Sequence, residues 1–76
     1  MSKYKLCVYA ICKNEIKQIA QWLERVKEAD VIVVLDTGST DGTWELLQQK
    51  DIICAQKIIN PFRFDVARNE ALKLIP

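Results

Sequence analysis

The sequence predicts an open α/β fold with three layers, in which a parallel sheet carries helices on its faces. Two short apolar runs, Leu6 to Ile11 and Val31 to Leu35, have the near-continuous hydrophobicity of strands covered on both faces. The segment between them repeats apolar residues at three- and four-residue intervals, the pattern of an amphipathic helix. A dense turn segment, Thr37-Gly38-Ser39-Thr40-Asp41-Gly42, follows the second run. Strands alternating with helices at this spacing need crossover connections, which are right-handed and make neighbouring strands parallel.

Taken in order, the first strand spans Leu6 to Ile11 and ends at Asn14-Glu15. Asn14 is placed to cap a helix whose buried stripe is Ile16, Ile19, Ala20, Leu23 and Val26, with Lys17, Gln18, Glu24 and Lys27 facing outward. Val31 to Leu35 is the clearest buried strand because it is uninterrupted and rich in β-branched residues. Asp41 or Ser39 then caps a short helix through Trp44 to Gln48. A third strand is expected from Ile52 to Ile59, with Gln56 and Lys57 marking it as exposed and near an edge. After a turn at Asn60-Pro61, Asp65 is placed to cap a last helix with Ala67, Ala71, Leu74 and Ile75 as its apolar stripe through Pro76.

Composition excludes several classes. At 76 residues the chain holds one domain or less. A chain of this size buries only roughly 60% of the surface its unfolded form exposes, so its core is thin. Apolar residues make up 50% and charged residues 28%, which is folded rather than disordered material. Eleven Lys and Arg against ten Asp and Glu give a net charge of +1, too little for a broad field that would gather nucleic acid. Three separated cysteines and no histidine argue against a disulfide framework or a Cys/His zinc site and suit a reducing cytoplasm. The apolar runs fall well short of the roughly 20 residues of a spanning helix, and no signal-like cleavage pattern follows Met1-Ser2-Lys3-Tyr4-Lys5. Direct membrane insertion is therefore not expected.

Ligands of open parallel sheets bind beyond the carboxyl ends of the strands. That rule selects Ile11 to Asn14 and Asp36 to Asp41. Asp36 stands where the buried strand opens into a loop; its carboxylate can accept from a sugar hydroxyl or an imide nitrogen, or simply accept backbone N–H groups and shape the turn. Gly38 and Gly42 lack the dinucleotide fingerprint and the lysine of a phosphate-binding loop. Lys13 can reach a ligand at the first strand's mouth or remain solvated. Arg68 and Asn69 are expected in the first turn of the last helix, where a cation is disfavoured by the macrodipole and calls for a partner, either a phosphate or Asp65. Trp22 and Trp44 read as packing residues. Cys12 has no neighbouring histidine or second cysteine to make it a nucleophile.

Three separated segments carry a family resemblance: Cys12-Lys13-Asn14-Glu15, Asp36-Thr37-Gly38-Ser39-Thr40-Asp41-Gly42-Thr43, and Phe64-Asp65-Val66-Ala67-Arg68-Asn69-Glu70-Ala71-Leu72. In this order and spacing they resemble the N-terminal part of family 2 glycosyltransferases, inverting enzymes that use nucleotide-sugar donors and have the Rossmann-like A-type glycosyltransferase fold. The resemblance covers nearly the whole chain. It implies that Ile11, Lys13 and Asn14 border the nucleobase and ribose, and that Asp36 and Thr37 occupy the positions of an acidic pair that touches uracil or ribose. It also implies that Arg68 lies near the base or the phosphates, and that Glu15 and Asp41 belong to the scaffold. Thr37 departs from the pattern, since the second carboxylate often stands there.

The resemblance further implies a UDP-type nucleotide-diphosphate sugar as donor, with Mg²⁺ or Mn²⁺ in the full enzyme. The metal is held by an Asp-any-Asp pair after a later strand, and a further Asp or Glu deprotonates the acceptor hydroxyl. No Asp-any-Asp triplet occurs in this sequence. Residues 1–76 are therefore expected to form a single partial domain, the nucleotide-binding half of a glycosyltransferase, with no catalytic residue or metal ligand of its own. The alternative is a non-catalytic structural or oligomerising module, since uncovered sheet edges favour a homo-oligomer or require the C-terminal half of the enzyme.

Overall fold

A computed structural model describes residues 6–60 and 62–76. Three strands, β1 (Cys7–Cys12), β2 (Val31–Asp36) and β3 (Ile53–Gln56), alternate with three helices, α1 (Ile16–Arg25), α2 (Thr43–Gln48) and α3 (Phe64–Leu72). The sheet order is β1-β2-β3 and both pairings are parallel, as the alternation of elements requires. Cys7 lies opposite Val31 and Cys12 opposite Asp36, so the first two strands end level with each other.

Alternation along β2 sends successive side chains to opposite faces. Val34 packs with Cys12, Ile19, Leu23 and Leu47, so α1 and α2 share one face of the sheet. Leu35 packs with Ala67 and Ala71, which places α3 on the other. The two alanines are fully buried and let the α3 backbone lie close to the sheet. Trp22 and Trp44 pack partly buried against the first cluster, which is the packing role expected of them.

The strand boundaries shift for identifiable reasons. The ladder carries β1 one residue further than the apolar run, to Cys12, because β2 continues to Asp36 beside it. β3 is shorter than the Ile52 to Ile59 expectation. Its last ladder bond, from the Lys57 N–H to the Asp36 carbonyl at 2.9 Å, falls where β2 turns away and leaves later residues nothing to pair with. Coverage of β1 on both faces holds only toward its C-terminal end, since Cys7 and Tyr9 are exposed. The turn expected at Asn60-Pro61 includes Pro61, which lies outside the described residues. Among the described residues no helix is long and apolar enough to cross a membrane.

Two helix caps differ from expectation. Glu15, not Asn14, occupies the N-cap position of α1, and Asn14 adopts a positive φ of 53° that turns the chain before the helix. α3 ends at Leu72, short of the expected run through Pro76, which leaves Leu74 and Ile75 beyond the helix. It begins at Phe64 with Arg63 at its N-cap, so Asp65 sits within the first turn. There Asp65 pairs with Arg63 at 3.1 Å rather than with Arg68. Arg68 accordingly falls in the second turn, beyond the steepest part of the helix-dipole field.

Leu47 is fully buried between α2 and the sheet. Leu47→Ala is expected to cost about 2–5 kcal/mol in urea unfolding followed by circular dichroism, a large part of the stability of so small a core. Ile58→Ala, at a side chain 74% exposed, is expected to change stability by no more than about 0.5 kcal/mol.

Candidate functional site

The loops that leave β1 and β2 are tied together at the carboxyl edge of the sheet, and Asp36 is the centre of the tie. Its side chain is fully buried, where an unpaired carboxylate would be costly. Oδ1 accepts from the Ser39 hydroxyl and, at 3.9 Å, from the Cys12 thiol. Oδ2 accepts from the Ser39 backbone N–H at 3.2 Å and the Gln56 side-chain amide at 2.8 Å. Ser39 passes the connection on, its Oγ accepting the Asn14 backbone N–H at 2.8 Å. Asn14 Oδ1 in turn accepts the Thr40 N–H at 2.7 Å. Thr37 completes the tie by donating both its N–H and its hydroxyl to the Cys12 carbonyl, at 2.9 and 3.2 Å.

Asp41 serves two helices at once. Oδ1 accepts the Thr43 N–H at 3.0 Å and the Thr43 hydroxyl, while Oδ2 accepts the Ile16 N–H at 3.3 Å. The carboxylate thus caps α2 from one position outside the N-cap and also supplies the missing acceptor at the start of α1. The Thr43 hydroxyl and the backbone N–H groups of Thr43 and Ile16 hold its carboxyl below the ordinary value of 3.8. Gly42, at φ 98°, makes this arrangement possible, because the backbone there is strained for an L side chain and a Cβ would stand 3.3 Å from Ile16 Cδ1. Ser39, the other cap expected for α2, bonds to Asp36 and Asn14 instead.

Beside the tied loops lies a cavity of about 260 Å³ lined by Ile11, Cys12, Lys13, Glu15, Thr37, Ile59 and Phe62. Of the residues selected from the sequence, it brings together Ile11, Lys13 and Thr37. Asp36 stands behind the wall with each carboxylate oxygen already bonded, Asn14 is engaged in the loop tie, and Arg68 is exposed on α3 away from the lining. Thr37 offers the cavity only lone pairs, because its hydroxyl proton goes to the Cys12 carbonyl. Burial and the nearby carboxylates, Asp36 foremost, push the Cys12 thiol up to about 12, so it lines the cavity as a neutral group.

Sequence reasoning missed Ile59 and Phe62 as cavity walls and read Glu15 as scaffold. Phe62 had a faint signal, an aromatic residue in a turn-rich connection that belongs to no periodic stripe. Ile59 had none, since it reads as the end of a strand. Among the described residues no group of His, Cys, Asp or Glu gathers to hold a metal ion. The buried carboxylate of Asp36 is surrounded by hydrogen-bond donors, so these residues do not fit the divalent ion that the resemblance implies for a full enzyme.

The fold and site together define a Rossmann-like half-domain, an open parallel sheet with its crevice at the carboxyl ends of the first two strands. The sequence profile of glycosyl transferase family 2 matches residues 7–75, and the chain belongs to that family. It is 39% identical over 46 residues to the lipopolysaccharide core biosynthesis glycosyltransferase LpsC of Rhizobium meliloti (strain 1021). That match covers 60% of this chain and 17% of the relative. No solved structure matches the chain.

Two consequences of the loop tie are measurable. Ser39→Ala removes the hydroxyl donor from the buried Asp36 carboxylate and leaves the Asn14 N–H without its side-chain acceptor. It is expected to lower unfolding free energy by about 1–3 kcal/mol in denaturant titration. Because the Asp41 carboxyl lies below its unfolded value, its contribution is fully present above about pH 4 and is lost as pH falls through the lower folded value. Thermal unfolding between pH 5 and pH 2, as approximate limits, should show a steeper acid decline for the parent chain than for Asp41→Asn, which is already less stable near neutrality.

Proposed function

We propose that this chain supplies the donor-nucleotide side of a glycosyltransferase that moves a sugar from a nucleotide diphosphate to an acceptor hydroxyl with inversion, within an A-type fold. The observation that carries this reading is the cavity at the ends of β1 and β2, in which Ile11, Lys13 and Thr37 stand together in a chain of glycosyl transferase family 2. Lys13 brings a positive charge to a diphosphate, and Ile11 an apolar wall to a base. Asp36 reaches a ribose hydroxyl by releasing the Gln56 amide, a solvent-exposed donor that the hydroxyl replaces. Asn14 holds the loop that carries Lys13, and Arg68 approaches from α3 once further walls enclose the crevice. Those walls, the metal carboxylates and the acceptor base come from a further segment or subunit; the similarity spans only 17% of the curated relative.

The test is titration of the isotopically labelled chain with UDP, followed by amide NMR. Millimolar binding with shifts concentrated at Ile11, Lys13, Thr37 and their loop neighbours is the expected result, with Lys13→Ala weakening it about tenfold. Added Mg²⁺ is expected to leave the affinity of this chain unchanged, since its residues do not fit the ion. Silence throughout the millimolar range would remove the reading.

A further inference from the structure

Phe62 is 55% exposed and belongs to neither buried cluster, yet its ring walls the cavity beside Ile11 and Ile59. A large aromatic side chain left half in water gains most by covering its face with another apolar surface. The polar side chains around the same cavity offer few directed donors to the edge of a base. Thr37 has spent its hydroxyl proton on the Cys12 carbonyl, and Asp36 accepts from Ser39, Gln56 and Cys12 behind the wall. Glu15 only accepts when ionised, and Lys13 only donates, as a mobile point charge that suits phosphate better than a base edge. What the cavity offers a planar ring is contact with its face, and every nucleobase has such a face.

We propose that Phe62 is the stacking surface for the nucleobase of the donor, so that the site selects for a heteroaromatic ring while discriminating weakly between one base and another. The proposal rests on the reading of the cavity as a donor-nucleotide site and adds to it the residue and the mode of base recognition. The β3–α3 connection that carries Phe62 thereby becomes a wall of the site as well as a link between elements.

The experiment compares UDP, GDP and inorganic pyrophosphate as probes of the parent chain and of Phe62→Ala, Phe62→Leu and Phe62→Tyr, by NMR titration, with amide dispersion confirming that each variant is folded. Stacking predicts that Phe62→Ala and Phe62→Leu each weaken UDP and GDP about tenfold, that Phe62→Tyr stays within about twofold of the parent, and that pyrophosphate binding is unchanged in all three. UDP and GDP should differ by no more than about fivefold in the parent. Parent-like UDP binding by Phe62→Ala overturns the stacking role and leaves the donor site standing. Full rescue by Phe62→Leu, or an equal loss of pyrophosphate, also overturns it, as apolar contact or a displaced loop would then account for the effect. A preference for one nucleotide of about a hundredfold overturns the weak discrimination. Absence of UDP binding by the parent chain removes both the stacking role and the donor-site reading beneath it.

Discussion

A buried carboxylate at the carboxyl end of the central strand governs how the loops leaving β1 and β2 are built. Asp36 has no exposure to water, and burying its charge is tolerable only because backbone, hydroxyl, amide and thiol donors surround it. The donors come from three stretches of chain: Cys12 from β1, Ser39 from the loop after β2, Gln56 from β3. Satisfying one residue therefore fixes the relative heights of all three strand ends. Asn14 extends the same network by binding Ser39 and Thr40, and Asp41 extends it to the starts of two helices. Among the described residues no buried side-chain polar atom lacks a partner, as a tightly specified network requires.

The rest of the fold is lightly held. Small clusters lie on either face of three strands, one around Val34 under α1 and α2, the other around Leu35 under α3. Leu6, Tyr9, Phe64 and Leu72 remain substantially exposed, and β1 and β3 both form edges among the described residues. A polar network that locks loop geometry thus sits on an apolar core of modest size. The cavity owes its shape to the former and its placement to the latter. Lys13 and Thr37 reach it from loops pinned to each other, while Ile11, Ile59 and Phe62 wall it from the sheet and the β3–α3 connection.

Membership of glycosyl transferase family 2 gives this crevice its chemical context, and the residues set its limits. The cavity presents one cationic side chain, one carboxylate, one hydroxyl restricted to accepting and several apolar surfaces. Among the described residues no group of His, Cys, Asp or Glu gathers to hold a divalent ion.

The order of strands and helices and the parallel sheet were legible in the chain itself. Each follows from local hydrophobic period and from the handedness of crossovers, which neighbouring residues alone specify. The motif residues Asp36, Asn14 and Asp41 were visible too, but their partners were not. Asn14 looks like a helix cap until its side chain is seen to bind Thr40, and Asp65 looks like another until α3 starts one residue before it. β3 reads as running to Ile59 because nothing local announces that β2 has already turned away. The hydrophobic pattern of 76 residues was thus enough to determine which faces are buried. Tertiary structure alone decided that Asp36 looks inward, that Asp41 serves two helices and that Phe62 walls the cavity. Hydrogen-bond partners and cavity walls come from segments far apart in sequence, and their meeting depends on packing that no local period encodes.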